Sequence, residues 1–186
     1  MSSIRIQMKR SLFGAAVWAA LSVSSGVAQA ATPFEVDVST AINRGIEFLA
    51  AQGVYNNPSS VGTFGASGLA MEALLEKRAS GVATDPPQGY TGANATDQGR
   101  LRSAAAYILD QTGNTSFYAY RDGQWMFALA TYALSGGPDK SVLAPGNVNY
   151  QTIKQAMDTL VDRSITAQRK AANGFTDAAR QGYWCY

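Results

Sequence analysis

The sequence predicts an all-α protein built from helix pairs, with five helices and the stub of a sixth. Three observations carry that prediction. After residue 30, apolar residues recur at helical spacing, and no alternating run longer than four residues marks a strand. Amphipathic segments take turns with segments that are apolar or small on most sides. Three Gly-x-aromatic signals, Gly62-Thr63-Phe64, Gly123-Gln124-Trp125 and Gly182-Tyr183-Trp184, follow one another after 61 and 59 residues. Each comes after an amphipathic segment and a loop, which is the mark of an internal repeat.

The first thirty residues have the make-up of a secretory leader. Arg5, Lys9 and Arg10 precede the apolar run Leu12 to Leu21, and a small, polar stretch ends in Ala28-Gln29-Ala30. Cleavage is expected after Ala30. The apolar run is about half of the roughly 20 residues a membrane-spanning helix needs, so no stable membrane anchor is expected after cleavage. The whole chain carries 15 basic and 13 acidic residues. Taking away the leader's three bases leaves 12 against 13, a net charge of −1. With no basic tract, nucleic-acid binding is not expected. Hydrophobic residues make up 46% of the chain and charged ones 15%, too apolar a balance for wholesale disorder. There is no histidine, and Cys185 is the single cysteine. These counts exclude a Ser-His-Asp triad, a two-His iron site, His zinc sites, Cys₂ and Cys₄ metal sites and an internal disulfide. No metal and no cofactor is expected.

The first helix is expected over 38–52. Val38, Ile42, Ile46 and Leu49 form one face, Asp37 or Ser39 caps the start, and Gly53 takes a left-handed conformation past the end. The second runs from about Phe64 to Arg78, with a small stripe through Gly65, Gly68 and Ala73 and a bulky one through Leu69, Met71 and Leu75. Glu72 and Glu76 read as a solvated face rather than a catalytic pair. A long loop covers 81–95. The third helix, capped by Thr96 or Asp97, buries Leu101, Ala104, Ala105, Ile108 and Leu109 and ends before Gly113. After an aromatic connector, Asp122 caps a fourth helix over 123–135, which is apolar nearly all round and is stopped by Gly136-Gly137-Pro138. The fifth, about 150–168, carries the stripe Ile153, Ala156, Met157, Leu160, Val161 and Ile165, with Lys154, Asp158, Asp162 and Arg163 off it.

Buried helices of this kind form an inner layer and amphipathic ones an outer layer with one wet face. The runs Ala41-Ile42-Asn43-Arg44-Gly45-Ile46-Glu47-Phe48-Leu49-Ala50-Ala51-Gln52 and Gly68-Leu69-Ala70-Met71-Glu72-Ala73-Leu74-Leu75, with Gly123-Gln124-Trp125 and Gln181-Gly182-Tyr183-Trp184, resemble the terpenoid cyclase and protein prenyltransferase superfamily, the squalene-cyclase-like α/α toroids. The likeness spans most of residues 38–186 as a helix-pair pattern. It implies concentric helix rings around a ligand cavity, here an open arc. The cyclase Asp-x-Asp-Asp motif is absent, and the prenyltransferase Asp, Cys and His zinc set cannot exist without histidine. Neither activity carries over. A complete ring needs about twice as many helices, so residues 31–186 read as the N-terminal piece of a longer toroid. The fifth helix would then lack an inner partner and turn its stripe to water.

Three functions compete. The first is an exported toroid piece with a binding or structural role. Its ligand surface would be the inner-helix entrance: Tyr118, Tyr120, Arg121, Asp122, Gln124, Trp125, Tyr183 and Trp184. Aromatics with a polar end suit a small molecule, a glycan or a protein partner. The plainer reading of the same residues makes Trp125 and Trp184 core fillers and Asp122 a cap. The second is an enzyme acting on polysaccharides or isoprenoids, with Asp122 or Asp177 and Tyr120 as the first acid-base groups to test and further residues beyond 186. The third is a helical-repeat scaffold, disfavoured because tetratricopeptide units are ~34 residues long. Asn94-Ala95-Thr96 and Asn114-Thr115-Ser116 match the glycan acceptor pattern.

Overall fold

The computed structural model describes residues 30–56, 66–78, 80–139 and 152–168, and these are all-helical. The five helices are α1 (Pro33–Ala51), α2 (Ala66–Leu75), α3 (Ala95–Asn114), α4 (Ala119–Leu134) and α5 (Ile153–Ala167). Among the described residues there is no strand; Arg78 and Pro87 form an isolated antiparallel bridge. The expected signal segment, apart from its last residue Ala30, lies outside the described residues, as do Gly62-Thr63-Phe64, Asp177 and the aromatic end with Tyr183, Trp184 and Cys185.

The helix starts differ from expectation for local reasons. α1 begins five residues early because Thr32-Pro33-Phe34-Glu35 is a capping box. The Thr32 hydroxyl accepts from the Glu35 N–H at 3.3 Å, the Glu35 carboxylate accepts from the Thr32 N–H at 2.8 Å, and Pro33 fits the first turn. Gly53 does take the left-handed conformation, at φ 71°. α3 is capped by Asn94, whose Oδ1 accepts from the Asp97 N–H at 2.9 Å, and not by Thr96 or Asp97. α4 opens at Ala119 behind Tyr118, so Asp122 is inside the helix and is not its cap. Thr152 and Gln155 close a second capping box on α5.

α2 and α4 lie side by side and run in the same direction. Near their starts, Gly68 meets Gln124 so closely that a Cβ there would come within 3.2 Å of it. At their ends one loop holds both: Gln88 Nε2 donates to Leu74 O at 2.7 Å, and the Thr91 N–H donates to Ser135 O at 3.3 Å. α3 packs on α2 and touches α4, α5 packs on both α3 and α4, and α1 rests on α2. Met71, Leu74 and Leu75 of α2, Leu101, Ile108 and Leu109 of α3, Leu129 and Tyr132 of α4 and Leu160 of α5 make the shared core. Each large side chain fully buried there contributes about 1.5–3 kcal/mol.

Two expectations about apolar faces are corrected. The α5 stripe does not face water: Ile153, Ala156 and Leu160 are buried and Met157 packs against the core, because α3 and α4 both reach it. Val161 and Ile165 alone of the stripe stay exposed. On α1 only Ile46 is buried, while Val38 and Ile42 are largely exposed. That helix packs chiefly on α2, meets α3 through the Glu47–Arg100 ion pair, and leans its first turns on residues 81–83 through Gly81 against Ser39 and the Ala83 N–H on Glu35.

Candidate functional site

The sequence-nominated residues that the structure describes all stand at the start of α4, and the helix sorts them by direction. Asp122 is fully buried and Trp125 is 2% exposed, so both face inward. Tyr118 is half-buried, and Tyr120 turns to solvent with its ring centroid 6.0 Å from that of Tyr118. Gln124 is half-buried against Gly68 of α2, its side-chain oxygen shut from solvent with no hydrogen-bond partner. The Trp125 indole N–H is likewise shut in without an acceptor.

Asp122 is the centre of an ionic cluster. Arg163 of α5 approaches it side-on, Nη2 donating to Oδ1 at 2.8 Å and Nε lying 2.7 Å from Oδ2. Arg121 Nε donates to Oδ1 at 3.0 Å, and the Tyr118 N–H donates to Oδ2 at 3.3 Å. Both arginines use their other hydrogens as well. Arg163 Nη1 donates to Thr112 O at 3.1 Å and Thr115 O at 2.9 Å, and Arg121 donates to Ser116 O. The Arg121 guanidinium also lies 4.8 Å from the Trp125 ring centre, a cation–π contact. Such a cluster ties α5 and the α3–α4 connector to α4. With both carboxylate oxygens of Asp122 held by arginine and backbone donors, its surroundings favour the plainer, structural reading over acid-base chemistry. Arg163 escaped the sequence reading because its partner lies 41 residues away.

The open surface lies further along. Tyr120, Phe127 and Leu134 stand at i, i+7 and i+14 on α4, exposed at 54%, 61% and 90%, and Leu69 of α2 is 56% exposed. They belong to the two helices that were expected to be covered on most sides. Glu72 sits at the α2–α4 contact, and the solvated role expected for it does not hold. Its side chain is partly exposed, but both carboxyl oxygens are closed off from solvent and have no hydrogen-bond partner. Burial first, and the Glu76 carboxylate one turn on, push its pKa up to about 7; the neighbouring Thr131 hydroxyl acts in the opposite sense. Glu76, Asp158 and Asp162 are exposed as expected. The sequence signal for Glu72 was its place on a helix with almost no polar side.

A separate polar cleft of about 510 Å³ lies between α1 and the start of α3, lined by Asn43, Glu47, Lys77, Asn94, Thr96 and Asp97. Its charges are satisfied internally. Lys77 pairs with Asp97 at 3.2 Å, and Arg100 bridges Asp97 at 3.2 Å and Glu47 at 2.7 Å. Among the described residues no three His, Cys, Asp or Glu side chains group so as to hold a metal ion, and no helix is long and apolar enough to cross a membrane. In comparisons with known proteins, no family model, no curated protein and no solved structure matches the chain.

Proposed function

We propose that this is an exported α/α helix-pair protein, part of a toroid of the squalene-cyclase-like kind, whose role is to bind an elongated apolar ligand on the open α2–α4 face. The observation that carries the reading is the exposed line Tyr120, Phe127 and Leu134 beside Leu69, on two helices already packed on each other with α3 and α5 behind them. An apolar surface of that continuity marks a binding site more often than bare solvent contact. Tyr120, nominated from sequence, supplies a polar end. The leader ending at Ala30 supports export. Isothermal titration calorimetry with farnesol tests the reading. The full chain is expected to bind it, and Phe127→Asp to weaken binding at least tenfold; no measurable heat with the unmodified chain overturns it.

One observation favours a second reading, an enzyme acting on polysaccharides or isoprenoids. Glu72 carries a carboxyl that holds its proton to near neutrality beside Glu76, the kind of group that general acid catalysis uses. Heat with cellohexaose and none with farnesol would favour a polysaccharide substrate.

A further inference from the structure

We propose that the α2–α4 seam is locked by a proton on Glu72, so that the two helices hold together in acid and loosen as the medium becomes neutral. The inference is independent of the ligand. It starts from the anomaly at the seam: two carboxyl oxygens inaccessible to solvent and without a donor. Native proteins rarely leave such groups unpaired, because an unpaired buried charge is costly.

Thr131 of α4 is the polar group beside Glu72 across the seam. Its hydroxyl donates to Phe127 O at 3.0 Å, and it makes no hydrogen bond that satisfies either Glu72 oxygen. Its influence favours the charged carboxylate, but burial and the Glu76 charge outweigh it. Among the described residues, the rest of the surroundings offers no cation. α4 has charged side chains only at Arg121 and Asp122, and these engage each other. On α2 itself Glu76 has the same sign.

From the flank of α1, α3 and the following loop, Glu47, Lys77, Asp97 and Arg100 close a network among themselves. Arg78 donates to Asp85 O, Arg102 to the Tyr90 hydroxyl, and Glu35 serves Thr32 and Ala83. None of these, nor Asp37, Arg44 or Asp110, contributes to the acidity of Glu72, which is set by burial, Glu76 and Thr131. Among the described residues no cation pairs with this carboxylate, and a proton relieves its burial at the seam.

The direction of the pH effect follows. In the unfolded chain Glu72 loses its proton near 4.5, and in the fold near 7. Below 4.5 both states are protonated. Between 4.5 and 7 only the unfolded state ionises, so stability falls through that window and levels off above it. In the ionised fold the carboxylate gains by swinging out to water, which opens the contact with α4.

Carbon-detected NMR of the glutamate carboxyls in the full chain tests the premise directly, with a Glu72 midpoint expected near 7. Thermal unfolding tests the consequence. The unmodified chain is expected to lose on the order of 5 °C in Tm relative to Glu72→Gln between pH 4.5 and pH 8. Hydrogen exchange across 124–134, corrected for intrinsic rates, should quicken over the same range only in the unmodified chain. A Glu72 midpoint in the ordinary glutamate range overturns the proposal, whether or not the variant folds. Parallel Tm profiles for the two proteins overturn it too.

Discussion

Asp122 and Glu72 are both acidic side chains on the paired helices α4 and α2, and both have their carboxyl groups turned away from water. They differ in company. Asp122 meets two guanidinium groups and a backbone N–H, whereas the Glu72 carboxyl oxygens have no hydrogen-bond partner and a second carboxylate one turn away. The first arrangement makes a charge a fastener; the second makes it a weakness that protonation relieves. Burial alone therefore says little about what an acidic residue does in this fold. What decides is the set of donors that neighbouring helices bring to it.

The largest expected effect breaks the better-partnered side of that comparison. Asp122→Ala leaves Arg163 and Arg121 facing carbonyls and each other, with no counter-charge. Removing one partner of a buried ion pair typically costs about 3–5 kcal/mol. Urea unfolding should report a loss of that order, with hydrogen exchange in α5 rising first because Arg163 is its tie to α4. A loss below about 1 kcal/mol would mean that the cluster is incidental to stability.

Glu72→Met sharpens the contrast from the other side. It removes an acid that has no ionic partner and fills the seam with an unbranched apolar chain of similar length. At pH 8 the variant is expected to equal or exceed the unmodified chain in urea, by on the order of 1 kcal/mol. At pH 4, where the carboxyl is neutral in both the folded and unfolded chain, that advantage should vanish. A loss resembling that of Asp122→Ala would show that the Glu72 carboxyl has a stabilising role.

What could be read from sequence and what could not divide along the same line. The buried face of α3, Leu101, Ala104, Ala105, Ile108 and Leu109, was legible because helical spacing alone puts those positions on one side, and all five are buried. The stripe of α5 was equally legible, but its partners were not, since contact with α3 and α4 depends on the packing of the chain. α1 has the same periodicity and stays mostly exposed because it packs chiefly on α2 and meets α3 through a surface ion pair. At the candidate site, Tyr120 is exposed. The destinations of Asp122 and Glu72 depended on Arg163 and Thr131, residues 41 and 59 positions away. Local spacing carries no information about pairings at that range.

A third acid, Glu35, completes the series at its exposed end and gives the smallest expected effect. Backbone N–H groups of Thr32 and Ala83, then the Thr32 hydroxyl, hold its carboxyl below the usual range. Its contribution is therefore present above the unfolded pKa and fades as pH falls through the lowered one, the opposite of Glu72. Thr32→Ala removes the hydroxyl half of the capping box, leaving the Glu35 N–H without its acceptor. Such a loss at a helix start should quicken hydrogen exchange over 33–37 about fivefold at neutral pH. The effect should stay local, because this end of α1 rests on a loop and not on the shared core. If exchange quickened across α2 as well, the first turns of α1 would have to be coupled to the core that now looks independent of them, and the ranking of the three acids by burial and partners would fail at its simplest member.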